Sequence, residues 1–207
     1  MSNKILLAAL AATFIAMTAP AMASASTPVP DLPSGVHQAY LADSDGNPTE
    51  GTVTLTGSLN TVGALTKTCD IHAVIDYYED GTTAVTSFTA TNCVIQGALG
   101  SRCTVATTPT NLSWGDRFGF NTSDGKFRDY VNVDVDTELT QVPGQPPCPV
   151  TGTFTFHGTL SPEISISGSV LSMTFGSGSG SVTSVIGTQT WNGTLSGTVP
   201  SGSQLIF

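Results

Sequence analysis

The sequence carries little charge, and cations are its scarcest component. Only 10% of the 207 residues are charged, with 6 Lys and Arg against 15 Asp and Glu, and the formal net charge is -9. A typical soluble domain has about 25% charged residues. A protein that binds nucleic acid needs a basic surface to displace the counterions of the phosphates. We therefore expect no nucleic-acid partner, because beyond the N-terminal segment the only cations are Lys67, Arg102, Arg117, Lys126 and Arg128.

The sequence also lacks an apolar run that would span a bilayer, which takes about 18 to 20 residues. The apolar stretch ILLAALAATFIAM follows Lys4 and precedes small residues in the A-x-A pattern of a signal-peptidase site. Cleavage is predicted before Ser24 or Ser26, so residues 1–25 are interpreted as a signal peptide. No Cys follows the stretch, which argues against a lipoprotein. We expect an exported protein, secreted or held at the cell surface, and no helical membrane span in the mature chain.

Strong helix formers are scarce after this leader, and no segment shows a helical stripe of apolar residues. Apolar residues instead alternate with Thr, Ser and Gly, as in half-buried strands. Turn sequences such as DSDGNP, TSDGK and PGQPP separate these segments. The pattern predicts an all-β fold of roughly ten short strands, either an antiparallel β-sandwich or a barrel-like sheet. Residues 26–35 are predicted to be a Pro-rich N-terminal arm, and residues 36–207 a single β domain.

Four cysteines are present, and an even number in an exported chain predicts disulfide bonds. One connectivity joins Cys69 to Cys93 and Cys103 to Cys148. Its rival joins Cys93 to Cys103 and Cys69 to Cys148, because CVIQGALGSRC also has the form of a hairpin. A zinc site is disfavoured because the sequence contains no C-x-x-C pair.

The segment from Cys69 to Cys93 predicts a β-hairpin around its EDG turn. A three-residue loop at 80–82 places the two cysteines opposite each other but matches apolar residues with polar ones. A two-residue turn at 80–81 matches the faces better but moves the cysteines one position apart. Because a one-residue slip exchanges the faces of a strand, both signals cannot hold along one regular ladder. We predict a bulge within Thr89–Asn92 that reconciles them.

The sequence contains no recognisable catalytic or metal motif. A G-x-S-x-G nucleophile elbow is absent, so His72 has no activated partner in the pattern, and a hydrolase is disfavoured. Asn132, Asp134, Asp136 and Glu138 share one strand face, which indicates a solvated face, with calcium binding as the alternative. We expect no enzymatic activity, no cofactor and no bound metal.

The aromatic-rich segment NLSWGDRFGFNTSDGKFRDY supports two interpretations. Aromatic side chains beside cations form carbohydrate or apolar-ligand surfaces, which makes Trp114, Arg117, Phe118 and Phe120 candidate ligand-binding residues. Large aromatics also fill the ends of β-sandwich cores. The sequence favours the core interpretation and leaves the ligand surface as the alternative.

Several segments resemble small secreted proteins of the family called protein activator of alkane oxidation. They are GTVTLTGSL, TSFTATNC, CTVATTPTNLSW and PPCPVTGTFTFHGTL, and together they cover much of the chain after the leader. The resemblance implies an extracellular or surface protein associated with growth on hydrophobic substrates and with biofilms. It implies no catalytic residues.

The sequence as a whole favours a secreted, non-enzymatic protein of the cell surface or extracellular matrix. The alternatives are a module that binds carbohydrate or a hydrophobic ligand, and a subunit of a self-assembling surface filament. Self-association is predicted through the N-terminal arm, where Pro28, Pro30 and Pro33 favour an extended chain that can add to a sheet edge. Other candidate partners are a polysaccharide or a hydrophobic surface.

Overall fold

Strands make up nearly all the regular structure of residues 27–207, the part of the chain that this computed structural model describes. The predicted signal peptide lies outside these residues. Within residues 27–207 there is one short 3-10 helix, Gly97–Leu99, and no helix with the length and apolar character that a membrane crossing requires. The strands are β1 (Val36–Gln38), β2 (Tyr40–Ala42), β3 (Gly51–Gly63), β4 (Lys67–Tyr77), β5 (Thr82–Ile95), β6 (Cys103–Pro109), β7 (Trp114–Asn121), β8 (Lys126–Gln141), β9 (Gly152–Leu160), β10 (Glu163–Ser167), β11 (Val170–Phe175), β12 (Val182–Ser184), β13 (Gly187–Thr198) and β14 (Gln204–Ile206).

The main sheet closes on itself, and every pair of neighbouring strands in it is antiparallel. Its order β7-β5-β4-β3-β13-β11-β10-β8 returns to the start because β7 also pairs with β8. The long strand β8 continues past β7 and β10, and its second half pairs with β6 on one side and β9 on the other. β14 pairs with β2 in a separate two-stranded sheet. The structure therefore confirms the predicted all-β class and selects its barrel-like form.

Residues 27–207 contain fourteen strands where the sequence predicted roughly ten, and local features explain the difference. The segment ISISGSVLSMTF is two strands, because Gly168 adopts a positive φ of 63° and turns the chain between β10 and β11. The segments TQTW and GTLSGTV belong to the single strand β13. The aromatic-rich segment contains β7, which the alternation analysis did not identify as a strand.

The hairpin of β4 and β5 contains two register shifts. One lies between Thr68 and Asp70, opposite Asn92, whose φ is +50°. This irregularity confirms the predicted bulge, since the centre of the hairpin keeps the face-matched register while the cysteines still meet. The alternation does not predict the second shift, between Val74 and Ile75.

Both disulfides have the first of the two connectivities considered from the sequence. Cys69 is bonded to Cys93 across the hairpin, with their Cα atoms 4.1 Å apart. Cys103, at the start of β6, is bonded to Cys148 in the Pro-rich loop before β9, with a Cα separation of 5.3 Å. Two disulfides are consistent with an oxidising or extracellular environment.

The interior of the barrel is layered along its axis. Inward positions of β8 alternate with outward ones, so every second side chain points into the core. From one end to the other these inward residues are Leu139, Thr137, Val135, Val133, Val131, Asp129 and Phe127. A small apolar cluster of Leu65, Ile95, Cys103 and Leu139 closes the first end. The apolar centre is thus flanked by two polar layers, one at Thr137 and one at Asp129.

Candidate functional site

Aromatic side chains gather at the end of the barrel where β7 and β8 form their turn. Phe120 stacks on Phe207 with ring centroids 3.8 Å apart, and Phe127 lies 4.9 Å from Phe120. His37 approaches Phe207 at 6.5 Å. Phe207 remains 64% exposed, although stacked aromatic rings usually bury most of their surface. We call Phe120, Phe127, Phe207 and His37 the aromatic end.

A groove of about 380 Å³ begins at the aromatic end and runs between β10 and β14. This volume lies within the range of small-molecule sites, roughly 300 to 1,000 Å³. Its apolar floor and polar rim consist of Phe127, Ile164, Ser165, Ile166, Gly168, Ser203, Gln204 and Leu205.

The groove exists because two strand edges face each other without pairing. β10 pairs with β8 only at Glu163 and Ile164, and among residues 27–207 no ladder forms on that edge from Ser165 onward. β14 uses its other edge to pair with β2. Two ion pairs, Lys126–Glu163 and Arg128–Asp124, lie where β8 and β10 meet, and each has a nitrogen–oxygen distance of 2.5 Å. The groove therefore combines apolar side chains, free strand edges and a charged border.

The four candidate ligand-binding residues do not form one surface. Trp114 and Phe118 are only 1% and 2% exposed and pack in the core, which agrees with the core interpretation of this segment. Arg117 points to the opposite face of β7 and is half-buried. Phe120 alone belongs to the aromatic end. The second tryptophan, Trp191, is also buried.

The described part of the N-terminal arm lies against its own chain. The Thr27 N–H donates to the Ser113 carbonyl, and the Thr27 hydroxyl accepts from the Gly115 N–H at 2.8 Å. Such close approach needs glycine, since a Cβ on Gly115 would lie 2.7 Å from the Thr27 carbonyl oxygen. β1 then pairs with β7. The arm and β1 thus cover β7 of the same molecule.

Two aspartates lie inside the barrel next to each other. Asp116 of β7 is paired in register with Val131, and Asp129 of β8 with Phe118, so the two carboxyls are diagonal neighbours on the inner face. Both are fully buried, and no donor within residues 27–207 reaches any of their four oxygens. Thr83, directly opposite Asp116 on β5, is also buried with an unpartnered hydroxyl.

Burial raises the pKa of both carboxyls in this acid pair. Burial raises the pKa of Asp129 to about 7. Burial first, and then the charge of Asp129, raises the pKa of Asp116 well above its ordinary value. When one carboxyl is protonated, its O–H can donate a hydrogen bond to an oxygen of the other. A shared proton therefore gives each carboxyl one hydrogen bond within the pair.

The other residues singled out from the sequence lie on the outside of the sheet. His72 and His157 are exposed, and His157 pairs in register with Asp134. Asp136 accepts a hydrogen bond from Thr155 at 2.6 Å, and Asn132 from Thr159 at 2.7 Å. Within residues 27–207, no group of three or more His, Cys, Asp or Glu side chains is placed to hold a metal ion.

Sequence reasoning missed Asp116, Asp129 and Lys67 as interior residues, although the signal was present. Asp116 alternates with Trp114 and Phe118, and Asp129 continues the Val131 face of β8 by one more step. The alternation rule assigns all of them to the buried face.

Comparison with protein-family models, with curated proteins and with solved structures finds no match for this chain.

Proposed function

We propose that this is a secreted, non-enzymatic protein of the cell surface or extracellular matrix that holds an unbranched alkyl chain in the groove between β10 and β14. The observation that carries the proposal is the 380 Å³ groove, whose lining residue Phe127 lies 6.1 Å from the exposed Phe207 ring. Exposed apolar surface rimmed by polar residues is a feature of ligand-binding grooves.

The shape and chemistry of the groove favour an alkyl chain. Ile166, Leu205 and Phe127 supply apolar contact in the groove, and Phe120 and Phe207 pack near Phe127. The Lys126–Glu163 ion pair at its border suits the polar head of an amphiphile. Carbohydrate is less well supported, because Trp114 and Trp191 are both buried.

Export and the absence of catalysis belong to the same proposal. The leader in residues 1–25 and the two disulfides support secretion. The exposed histidines lie on the outer face of the sheet, away from the buried acid pair. The resemblance to the alkane-oxidation activator family supports an association with hydrophobic substrates.

Titration calorimetry with dodecanoate at several temperatures tests the proposal. We expect saturable binding with a negative heat-capacity change, the mark of apolar burial. Ile166→Ser removes apolar contact from the groove wall and should weaken binding about tenfold or more, since one buried aliphatic side chain contributes about 1.5 to 3 kcal/mol.

Val185→Ser is the matched control, because Val185 is a β-branched residue that is 95% exposed on the turn between β12 and β13. It should leave dodecanoate affinity unchanged. Absence of binding by the unmodified protein, or equal binding by the Ile166 and Val185 variants, would contradict the proposal.

A further inference from the structure

Tyr130 is a buried side chain on the outer face of the barrel. Its neighbours Asp129 and Val131 point inward, so the alternation of β8 directs Tyr130 outward, yet it is only 7% exposed. It lies outside both apolar clusters of the interior. The N-terminal arm supplies part of its cover, because a Cβ on Gly119 would lie 3.0 Å from both Leu32 Cδ2 and Tyr130 Cε2.

Two glycines on the outer face of β7 form a floor beneath the arm. A Cβ on Gly115 would lie 2.7 Å from the Thr27 carbonyl oxygen, and one on Gly119 would meet Leu32 as described above. Any larger residue at either position would displace the arm, so the absence of two side chains creates the space that the arm occupies. We call this surface the arm site, and its residues are Gly115, Gly119, Tyr130 and Asn132.

The arm site suits a proline-rich segment. Pro28, Pro30 and Pro33 lack backbone N–H groups and favour the extended polyproline conformation, whose carbonyls have no partner within their own helix. Asn132 uses its Nδ2 to donate to the Pro28 carbonyl at 2.9 Å. Aromatic surfaces are the usual binding sites of such segments, and Tyr130 provides one here.

The arm is joined to β1 by a short hinge at Ser34–Gly35. Thr27 lies at the start of β7 and Leu32 beside Gly119, so the arm runs in the direction of β7. β1 then pairs antiparallel with the same strand, so the chain reverses within the hinge, where Gly35 has a φ of +83°. Both hinge residues are exposed. A short hinge of this kind favours the exchange of a terminal segment between identical molecules.

We propose that the arm site binds the N-terminal arm of a second copy of this chain. The partner's arm has the sequence that the site already holds in cis, so exchange replaces each contact by an identical one. Reciprocal exchange gives a closed dimer, and exchange in one direction gives an open chain of subunits. Because a short tether gives the cis arm a high effective concentration, exchange between copies requires concentrated protein.

Cross-linking between two variants of the mature chain tests the proposal. One variant carries Pro28→Cys in the arm. The other carries Thr159→Cys beside the site, since the Thr159 hydroxyl donates to the Oδ1 of Asn132 at 2.7 Å. A short bis-maleimide added to the concentrated mixture joins the two new cysteines only where an arm reaches a different molecule. We expect a heterodimer yield several-fold above that of Pro28→Cys mixed with Ser201→Cys, an exposed position in the turn before β14.

A second comparison tests whether the arm site itself receives the arm. Adding Gly119→Val to both variants fills the site and should reduce the heterodimer yield to that of the Ser201→Cys control. Gly176→Val, at a glycine with nothing within 4 Å of its Cβ position, should leave the yield unchanged. Circular dichroism checks that each variant is folded, and the first comparison is decisive even if Gly119→Val does not fold. A yield no higher than the Ser201→Cys control, or one that folded Gly119→Val leaves unchanged, would overturn the proposal.

Discussion

The raised pKa values of Asp116 and Asp129 predict that the free energy of unfolding depends on pH. Both carboxyls have raised pKa values in the folded chain and ordinary values near 3.8 when unfolded. Between these values the folded chain holds protons that the unfolded chain releases, so the free energy of unfolding falls as pH rises. The stabilisation is complete below about pH 4 and is lost as pH rises through about 7, the folded pKa of Asp129.

The magnitude follows from the number of protons held. Each carboxyl that is protonated only in the folded chain lowers the free energy of unfolding by about 1.4 kcal/mol per pH unit. With one or two such groups between pH 5 and 7, the loss is a few kcal/mol, against a total of roughly 5 to 15 kcal/mol for a typical domain. This range avoids Asp43 and Asp124, whose lowered pKa values act in the opposite sense at more acidic pH.

The double variant Asp116→Asn/Asp129→Asn removes both titrations while keeping the side-chain shape. Urea unfolding with the disulfides intact, at pH 5, 6, 7 and 8, measures the effect. We expect the unmodified chain to lose stability steadily over this range and the variant to lose much less. The two should therefore diverge towards pH 8, with the variant the more stable.

Parallel curves for the two proteins from pH 5 to 8 would refute the reasoning. Such a result would mean that the carboxyls ionise in the folded chain as they do in the unfolded one, and so are solvated or paired. The single variants Asp116→Asn and Asp129→Asn then show which carboxyl ionises in the folded chain. Because the two carboxyls are coupled, each single variant also changes the titration of the remaining one.

Three further outcomes are expected. Replacing Cys69 and Cys93 together by Ala should lower the free energy of unfolding by about 2 to 4 kcal/mol in urea, and an unchanged midpoint would contradict a stabilising role for this disulfide. Gly57→Ala should destabilise by about 1 to 3 kcal/mol, because its Cβ would lie 2.2 Å from the Thr194 carbonyl oxygen, whereas Gly176→Ala, with nothing within 4 Å, should not. EDTA should leave Tm unchanged by calorimetry, and a drop of several degrees would instead indicate a bound divalent cation.

The local alternation of the sequence was enough to predict strands, turns and one disulfide-bridged hairpin. Side chains of a strand alternate between two faces, so apolar and Thr residues in β3 or β8 assign their own faces without knowledge of the partner strand. The bulge near the cysteines of the β4–β5 hairpin was also contained in local signals, because the face match and the cysteines conflict unless the chain is irregular near Asn92. The second shift, which pairs Ile75 with Val85 and Tyr77 with Thr83, was not, and neither of the two turns considered from the sequence gives this pairing.

The tertiary structure decided which strands are neighbours and therefore what the interior contains. Lys67 and Thr137 are 70 residues apart and meet only because the sheet closes. Phe120 and Phe207 likewise stack only because β14 pairs with β2 beside β1. The alternation of apolar and polar residues within a strand does not identify its partner strand, because strands of similar pattern can pair equally well with many others. The acid pair, the Lys67–Thr137 hydrogen bond and the groove arise from closure, and closure is a property of the whole chain.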